Sequence, residues 1–501
     1  MRINDSQPKR IQIDAQQVGA PQYVSSTFQD FQFVETELYN LVQSGREFYG
    51  DKFEQTLSRE YNFNFPFIRT DYPTTIHAGF AIRSVGSASS FSLISSGVST
   101  TSNSVTSGTG SLASTATKVN VSATVNTSNP SVGVNINFNK AANSIDAQGY
   151  LDFINVNATR DLSYNGTQLH FRDSNNVGDN SLTQFELQNS NGLHMIWDIT
   201  DYVSPKKIEY TVDGTTTIWK SATNELKEFI AFPNFNFLIP TSLGKIANQD
   251  LHGTPPTDLV IVSAPAHLES ARQLADIHAS EGMRVLLVTQ AQVFNEFSSG
   301  NPDVTAIRML MKMLYDKAEG NDADQPDNLL LFGDGNYANN RGYRAFNGSN
   351  VMLFESDESL GPVTSYVSDD YFVMLSDNDN ASPTGLLDAG VGRIPAGNST
   401  MGLEYVDKVR QYLALNNSPT GDVNCLGEAS QNSFGPWRNL LSFISDDQDG
   451  SGGANEQIHL EDANTLADRI YNEHPDYDVS KIYMDAYVQQ STPGGERYPD
   501  G

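Results

Sequence analysis

The sequence is poor in several features on which a structure or a function could depend. It has one cysteine in 501 residues, Cys425, which excludes an internal disulfide framework and a cysteine-based zinc cluster. It has no run of 18 apolar residues, the length that a membrane-spanning helix needs. Its first residues contain no apolar stretch of the kind found in signal peptides, so we expect an exported form to carry that signal outside this chain. Lys and Arg number only 31 against 60 Asp and Glu.

The resulting net charge of −29 argues against nucleic acid as a partner, because phosphate binding needs clustered basic side chains. The charge is concentrated after Pro255: residues 256–501 hold 37 acidic and 14 basic side chains, whereas the first 255 hold 23 and 17. Such an asymmetry is typical of a domain boundary. We predict three parts, namely an N-terminal β segment at 1–75, a Ser/Thr/Asn-rich β-sandwich-like domain at 76–255, and an α/β domain at 256–501.

Alternation of apolar and polar residues predicts antiparallel strands in the first half of the chain. Residues 119–125 and 132–138 alternate on either side of a turn, which predicts a hairpin with one buried face. A second hairpin is predicted around Asp213-Gly214, because this pair tolerates the positive φ of tight turns. Short strands with frequent turns favour an antiparallel sandwich. Its Ser, Thr and Asn faces are either solvated strand surface or a binding surface.

The second half alternates strand and helix patterns. Short apolar runs at 258–263, 284–289 and 328–334 are separated by two amphipathic helices, at 266–281 and from Asp303 onward. A βαβαβ series of this kind predicts a parallel sheet with helices on both faces. The working loops of such sheets follow the carboxyl ends of the strands, where the third strand runs into a Gly-Asp-Gly turn.

No motif for nucleophilic catalysis is present. The sequence lacks a Gly-x-Ser-x-Gly elbow, a Walker loop and a His-Glu-x-x-His pair, which mark serine hydrolases, nucleotide-binding proteins and zinc peptidases. Cys425 could act as a nucleophile only beside one of eight His, and none of these follows a glycine. We therefore interpret Cys425 as a small, half-buried apolar residue.

One acidic segment has the spacing of a calcium-binding loop. With Ser445 as position one, Asp447 and Asp449 occupy positions three and five, Gly450 position six and Glu456 position twelve. In such loops the glycine permits a sharp turn and the last Glu binds with both oxygens. We predict calcium as the metal, with Asp447, Asp449 and Glu456 as its ligands. A solvated acidic turn is the alternative, because the first position is not Asp and a strand pattern precedes it.

Several short motifs follow one another in a distinctive order. In the second half they are NQDLHG at 248–253, LFGDG at 331–335, SDDYF at 368–372, VGRIP at 391–395, GPWR at 435–438 and SDD at 445–447; in the first half they are GREFYGD at 45–51 and YNFNFP at 61–66. Taken in this order, they resemble the gingipain-type cysteine peptidases, and among these the sortases of the type IX secretion system. The resemblance covers most of the chain.

The resemblance implies a caspase-like, gingipain-like α/β domain in which a second subdomain carries a catalytic Cys/His dyad. In that family the His follows a glycine after a strand, and the Cys lies at a later strand end. This sequence has no Gly-His pair and no cysteine after Cys425, so no catalytic residue can be carried over. We expect the α/β domain to be incomplete at its C-terminus, with the dyad beyond this chain and the chain inactive by itself.

The resemblance also implies a function. A sortase of this kind removes a C-terminal sorting domain from secreted cargo and attaches the cargo to a surface glycolipid. Its partners would be secreted protein substrates and outer-membrane components of the secretion machinery, and its location the extracellular side of the cell surface. The alternatives are a non-catalytic cell-surface binding or scaffold protein that uses its β-domain, and a scaffold stabilised by calcium.

Overall fold

The computed structural model describes the chain from residue 10 to residue 497, apart from 111, 128, 145, 234–238, 240, 243, 340–347, 378–384, 414–435, 447–456, 489 and 493–494. The first half is built of β-strands. They are β1 (Gln12–Asp14), β2 (Tyr23–Ser25), β3 (Thr27–Glu35), β4 (Lys52–Phe53), β5 (Ser58–Asn64), β6 (Thr74–Arg83), β7 (Ser90–Ser95), β8 (Val98–Thr101), β9 (Thr117–Val125), β10 (Ser131–Asn139), β11 (Gln148–Asp161), β12 (Leu169–Arg172), β13 (Leu182–Leu187), β14 (Met195–Asp198), β15 (Lys206–Ile208), β16 (Thr211–Asp213), β17 (Thr216–Ala222) and β18 (Glu228–Phe232).

Two antiparallel sheets form a first sandwich. One has the order β3-β11-β6-β9, with β4 beside β11, and the other has the order β5-β10-β7-β8. Their inner faces share one apolar core. Phe80 of one sheet stacks on Phe91 of the other with ring centroids 4.0 Å apart, and both rings are buried. Aromatic packing of this kind stabilises the contact between the sheets.

The hairpin predicted for 119–125 and 132–138 is wrong in its pairing. Both segments are strands, and alternation correctly identified the buried side of each. However, β9 pairs with β6, whereas β10 lies between β5 and β7 in the opposite sheet. The chain therefore crosses the sandwich between these strands, and the two apolar faces meet across the core instead of lying side by side.

A second pair of sheets follows, with the orders β1-β15-β14-β18-β12 and β16-β17-β13-β2. Trp219 lies at the centre of their core, stacked on Phe185 at 5.2 Å. The second predicted hairpin is confirmed, since Asp213 on β16 pairs with Thr216 on β17 and Gly214 in the turn has a φ of +60°. The first strands of the chain pair in parallel with much later ones, β1 with β15 and β2 with β13.

The second half contains helices and parallel strands. Its helices are α1 (Leu268–Ser280), α2 (Gln290–Phe297), α3 (Val304–Lys317), α4 (Ser399–Tyr412) and α5 (Gln457–Glu473). Its strands are β19 (Leu259–Ser263), β20 (Val285–Thr289), β21 (Asn328–Phe332), β22 (Phe354–Glu355), β23 (Val367–Ser368), β24 (Gly390–Ile394), β25 (Leu440–Ser445), β26 (Asp478–Tyr483), β27 (Gln490–Thr492) and β28 (Gly495–Arg497).

The main sheet of this half has the order β20-β19-β21-β24, with all strands parallel. Helices α2 and α3 pack in the apolar core on one face, and α1 and α4 in the core on the other. Local signals place the helix ends: Asp303 accepts a hydrogen bond from Thr305 N at the start of α3, and Gly282 after α1 has a φ of +97°. Strands β25 and β26 form a separate parallel pair against which α5 packs.

An all-β first half followed by a parallel α/β sheet confirms the predicted fold class. Within the described residues, no helix combines the length and the apolar character that crossing a membrane requires.

Candidate functional site

The carboxyl end of the main parallel sheet is held together by one arginine. Arg393, at the end of β24, donates from Nε and Nη2 to the two carboxylate oxygens of Asp369, each at 2.8 Å. The remaining donors reach backbone carbonyls, with Nη1 2.9 Å from the oxygen of Val351 and Nη2 3.1 Å from that of Met352. Nη1 also lies 3.2 Å from the Gly333 oxygen. Planar fork geometry of this kind is specific to arginine.

Three of the motifs that carry the sequence resemblance therefore meet at this point. Gly333 follows β21, and a Cβ placed on it would lie 2.7 Å from the Ser349 carbonyl oxygen and 3.0 Å from the Ala264 Cβ. Only glycine fits this close approach. The Arg393 side chain therefore holds the loops that follow β21 and β23 in place at this edge of the sheet.

His267 directly precedes α1 and lies in the interior of the α/β half. It is fully buried, its ring lies 5.8 Å from that of Phe332, and neither ring nitrogen has a well-aligned hydrogen-bond partner. Burial lowers the pKa of His267, because desolvation disfavours the imidazolium. The side chain is a neutral core histidine rather than a general base that a substrate can reach.

The N-terminal half docks on the loop 356–361 of the α/β half. Arg46 N donates to the Ser356 carbonyl oxygen at 3.0 Å, and Glu47 N donates to Ser359 Oγ at 2.8 Å. The Arg46 side chain also pairs with Asp357. A fourth motif of the resemblance, at 45–51, is therefore the point where the two halves join.

A cavity of about 820 Å³ lies at this joint. The N-terminal half contributes Arg46 and Phe48 to its lining, and the start of α3 contributes Asp303. Phe48 stacks on Tyr337 with ring centroids 6.4 Å apart. A pocket of several hundred cubic ångströms at a domain interface, with aromatic walls and a few polar groups, is typical of a ligand site. We call it the joint cavity.

Glu355 is the most unusual residue that lines the joint cavity. It is 6 % exposed, and its Oε1 has no hydrogen-bond partner. Burial raises the pKa of Glu355 to about 8, so the carboxyl group is largely protonated at neutral pH. Carboxyl groups with such pKa values occur at functional sites more often than elsewhere.

Glu358, three residues later, has the opposite environment. Burial by itself raises its pKa, but hydrogen bonds from Gly361 N at 2.9 Å, Thr364 Oγ1 at 2.8 Å and Ser365 Oγ at 2.9 Å more than offset this. The pKa of Glu358 is therefore lowered, and its carboxylate closes the turn of loop 356–361. Of these two acids, Glu358 has several hydrogen-bond partners, whereas Glu355 has no side-chain partner among the described residues.

The family model described as peptidase family C25 matches residues 252–501. This part of the chain belongs to peptidase family C25.

A solved structure supports this assignment, and its similarity extends into the first half of the chain. The crystal structure of dimeric latent PorU from Porphyromonas gingivalis matches with 27 % sequence identity and a TM-score of 0.69, over 81 % of this chain and 40 % of the PorU chain. The predicted resemblance to the gingipain-type peptidases is confirmed. The present chain thus corresponds to less than half the length of that relative.

Two further matches are too weak to indicate a shared fold or function. The CBM36-1 domain of a xylanase from the hindgut metagenome of Trinervitermes trinervoides aligns with a TM-score of 0.16 at 9 % identity, over 25 % of this chain and 96 % of that one. A xylanase segment of Clostridium thermocellum with CBM22-1 and GH10 modules aligns with a TM-score of 0.14 at 9 % identity, over 93 % of this chain and 81 % of that one. No curated protein sequence matched.

The predicted metal ligands of the C25 segment, and Cys425, which was not predicted as a site residue, fall outside the described residues. Cys425 and the predicted calcium ligands Asp447, Asp449 and Glu456 all belong to the ranges that the structure does not describe. The calcium site stays a prediction. Within the described ranges, no three His, Cys, Asp or Glu side chains are grouped so that they could hold a metal ion.

The start of the C25 segment is held in place by a partly buried acid. Glu296 of α2 accepts hydrogen bonds from Leu251 N at 2.8 Å, from Gln249 Nε2 at 2.9 Å and from His252 Nδ1 at 2.8 Å. Burial alone raises its pKa, but these donors lower the pKa of Glu296 to about 2. The motif at 248–253 is therefore a structural attachment of the segment to α2.

Sequence reasoning missed Glu355 and the role of Arg393. Glu355 ends the run Val-Met-Leu-Phe-Glu at 351–355, and an acid directly after four apolar residues is the one local signal that it is buried. Arg393 lies inside a motif that was recognised, but its partner Asp369 lies 24 positions earlier. No pattern in the sequence specifies that contact.

Proposed function

We propose that this chain is part of a gingipain-like cysteine peptidase of the sortase type, acting in type IX secretion at the cell surface. In this proposal the complete enzyme cleaves C-terminal signals from secreted protein cargo with a Cys/His dyad located outside the 501 residues. The PorU match carries the proposal. It covers 81 % of the chain and therefore extends into the β-strand half, which the C25 family model leaves out.

The chemistry proposed for the complete enzyme is nucleophilic catalysis. A cysteine thiolate attacks the carbonyl carbon of the scissile peptide bond; the C–N bond breaks, the C-terminal signal leaves as an amine that takes a proton from the His of the dyad, and the cargo stays bound as a thioester. Water or an amine then attacks the thioester carbonyl, which releases the cargo and restores the thiolate, so that one difficult step is divided into two easier ones. The described part of this chain supplies a scaffold for that chemistry. Arg393 fixes the sheet edge, and the joint with the β-strand half fixes loop 356–361.

The proposal also includes partners and a metal. The partners are secreted protein substrates and outer-membrane components of the secretion machinery.

The metal is calcium, bound by Asp447, Asp449 and Glu456. Calcium that binds only the native state raises the unfolding free energy by about 2.7 kcal/mol at 100 times its Kd. We expect calcium to raise Tm in the unaltered chain and not in Asp449→Asn, with Glu473→Gln as a surface control. An unchanged Tm contradicts the metal proposal alone.

Two experiments test the catalytic proposal. The first is the reading frame that follows Gly501 in the gene, which we expect to encode a Gly-His pair and a later cysteine. The second is turnover of an internally quenched peptide library by the 501-residue chain and by Cys425→Ala. We expect both proteins to show the same background level. Thiol-dependent turnover by the chain that is lost in Cys425→Ala would place the nucleophile in this chain and overturn the proposal.

A further inference from the structure

The joint cavity contains an acid for which the described residues provide no counter-charge. Glu355 lines the cavity, is 6 % exposed, and has an oxygen without a hydrogen-bond partner. Leaving a buried polar group unpartnered costs free energy. Such a group in a preformed cavity is therefore a feature that a ligand can satisfy.

The other carboxylates in the lining already have partners. Asp303 caps α3 through Thr305 N at 2.8 Å, Asp357 pairs with Arg46 at the exposed rim, and Glu358 accepts the hydrogen bonds of its own turn. Among these four acids, Glu355 alone has no partner for its side chain in the part of the chain that the structure describes.

The charge of the lining favours a cation. The described residues that line the cavity include these four acids and one basic residue, Arg46, whose guanidinium is engaged by Asp357. Ring surface is available from Tyr366, which is 41 % exposed, and the stacked pair Phe48 and Tyr337 also lines the cavity. Aromatic faces attract cations, whereas the acidic side chains of the lining disfavour the binding of an anion.

The lining also offers apolar surface for the remainder of a ligand. Met352 and Leu353 lie beside Glu355 in the cavity wall, and Phe354 stacks on Tyr371 with ring centroids 4.3 Å apart. A ligand with a charged head and an apolar stem would therefore place the head at Glu355 and the stem against these side chains.

We propose that the joint cavity is a binding site for an organic ammonium ion on an apolar stem, with Glu355 as its counter-charge. The site is separate from the catalytic chemistry proposed above and stands whether or not that proposal holds. Because both halves of the chain line the cavity, a bound cation contacts each of them and stabilises their joint.

Proton release distinguishes this site from simple apolar binding. The carboxyl group of Glu355 is largely protonated in the free protein, because burial raises its pKa to about 8. An ammonium ion binds the ionised form, so each binding event releases close to one proton at neutral pH. The groups around Glu355 that could also respond to pH or charge are Arg46, Asp303, Asp357, Glu358, Tyr337, Tyr366 and Tyr371.

The test uses n-butylammonium as the probe, with 1-butanol as its neutral counterpart and butyrate as an anion. Ligand-observed NMR on the whole 501-residue chain measures Kd, and a weakly buffered titration measures proton release. We expect n-butylammonium to bind at least tenfold more tightly than 1-butanol, and butyrate not to bind. We expect the affinity for n-butylammonium to rise nearly tenfold per pH unit from about pH 6 to about pH 7.5 and to level off above about pH 8.

Single substitutions test whether n-butylammonium binds in the joint cavity at Glu355. Glu355→Gln keeps the shape of the side chain and removes a buried acid, so we expect the variant to fold. We expect it to bind n-butylammonium at least tenfold more weakly and to release no proton. Tyr366→Leu removes one ring at the rim and should weaken binding severalfold. Glu269→Gln, on the exposed side of α1, is the matched control and should change nothing. Equal binding by Glu355→Gln, equal binding of 1-butanol, or an affinity that does not change with pH would each overturn the proposal.

Discussion

Arg393 and Asp369 face each other across the carboxyl edge of the parallel sheet, with Nε and Nη2 of the arginine each 2.8 Å from one carboxylate oxygen. Both side chains are mostly buried. The same guanidinium binds backbone carbonyls of two loops, so this contact determines the shape of the sheet edge.

We predict that Arg393→Met lowers the free energy of unfolding by about 3–5 kcal/mol, because it leaves Asp369 as an uncompensated, largely buried charge. Arg393→Lys should also destabilise, since an ammonium cannot reproduce the two parallel hydrogen bonds. Urea unfolding measures both. The control is Arg469→Met, which breaks an exposed pair with Glu473 on α5 and should cost no more than about 0.5 kcal/mol. Similar losses in the two Met variants would contradict this role for Arg393.

Gly45 gives a prediction about the joint between the halves. Its φ is +75°, and a Cβ on it would lie 2.2 Å from the Glu358 carbonyl oxygen. Gly86 has a similar φ of +77° but nothing within 4 Å of a Cβ. Both alanine variants therefore incur the backbone cost of about 1 kcal/mol, and Gly45→Ala adds about 1–3 kcal/mol of steric conflict.

The measurement is Tm together with the rate of limited proteolysis in loop 356–361. We expect Gly45→Ala to lower Tm more than Gly86→Ala and to expose this loop to cleavage. Equal behaviour of the two variants would show that residues 45–47 do not hold the loop.

Glu355 predicts a loss of stability as the pH rises from about 4.5 to about 8. The folded protein retains a proton up to a pKa of about 8, whereas an unfolded glutamate releases it near its ordinary value of 4.5. The unfolding free energy therefore falls as pH rises between these two values, by about 3 kcal/mol at pH 7 relative to acid pH. Glu355→Gln should remove this fall, so that it becomes more stable than the unaltered chain at pH 8 and no more stable at about pH 4. Parallel pH profiles for the two proteins would contradict the assignment.

Glu296 predicts the opposite dependence. Its folded pKa of about 2 lies below the ordinary 4.5, so its contribution is fully present above about pH 4.5 and is lost as the pH falls toward 2. Glu296→Gln should therefore cost about 3 kcal/mol at neutral pH and progressively less in acid. Thermal unfolding between about pH 2.5 and pH 7 measures this. A cost that stays constant with pH would mean that packing, rather than charge, attaches the segment 249–252 to α2.

Local features of the fold could be predicted from the sequence because neighbouring residues determine them. The cap Asp303 and the apolar face with Ile307, Leu310 and Leu314 correctly placed α3, and all three apolar side chains are buried. The turn at Gly214 correctly placed one hairpin. In each case the deciding interactions lie within a few residues, where spacing is informative.

Pairing and burial between distant segments could not be predicted in this way. Alternation identified the buried faces of β9 and β10, but it carries no information about which sheet each strand joins. The position of Glu355 in a cavity could not be predicted, because nothing near it in the sequence signals the docking of Phe48 and Arg46 over the same cavity. The candidate site arises from contacts between the two halves, which no local pattern records.

The pairing of β1 with β15 also has a consequence for how the chain folds. Gln12 of β1 is paired with Lys206 of β15. The first strand therefore has no partner until more than two hundred residues have been synthesised. Loops of that length must close before such contacts stabilise anything, and domains rich in distant pairings fold slowly. We therefore expect the first half to remain exposed to chaperones and proteases during synthesis, and any truncation before Ile208 to leave β1 as an open, aggregation-prone edge.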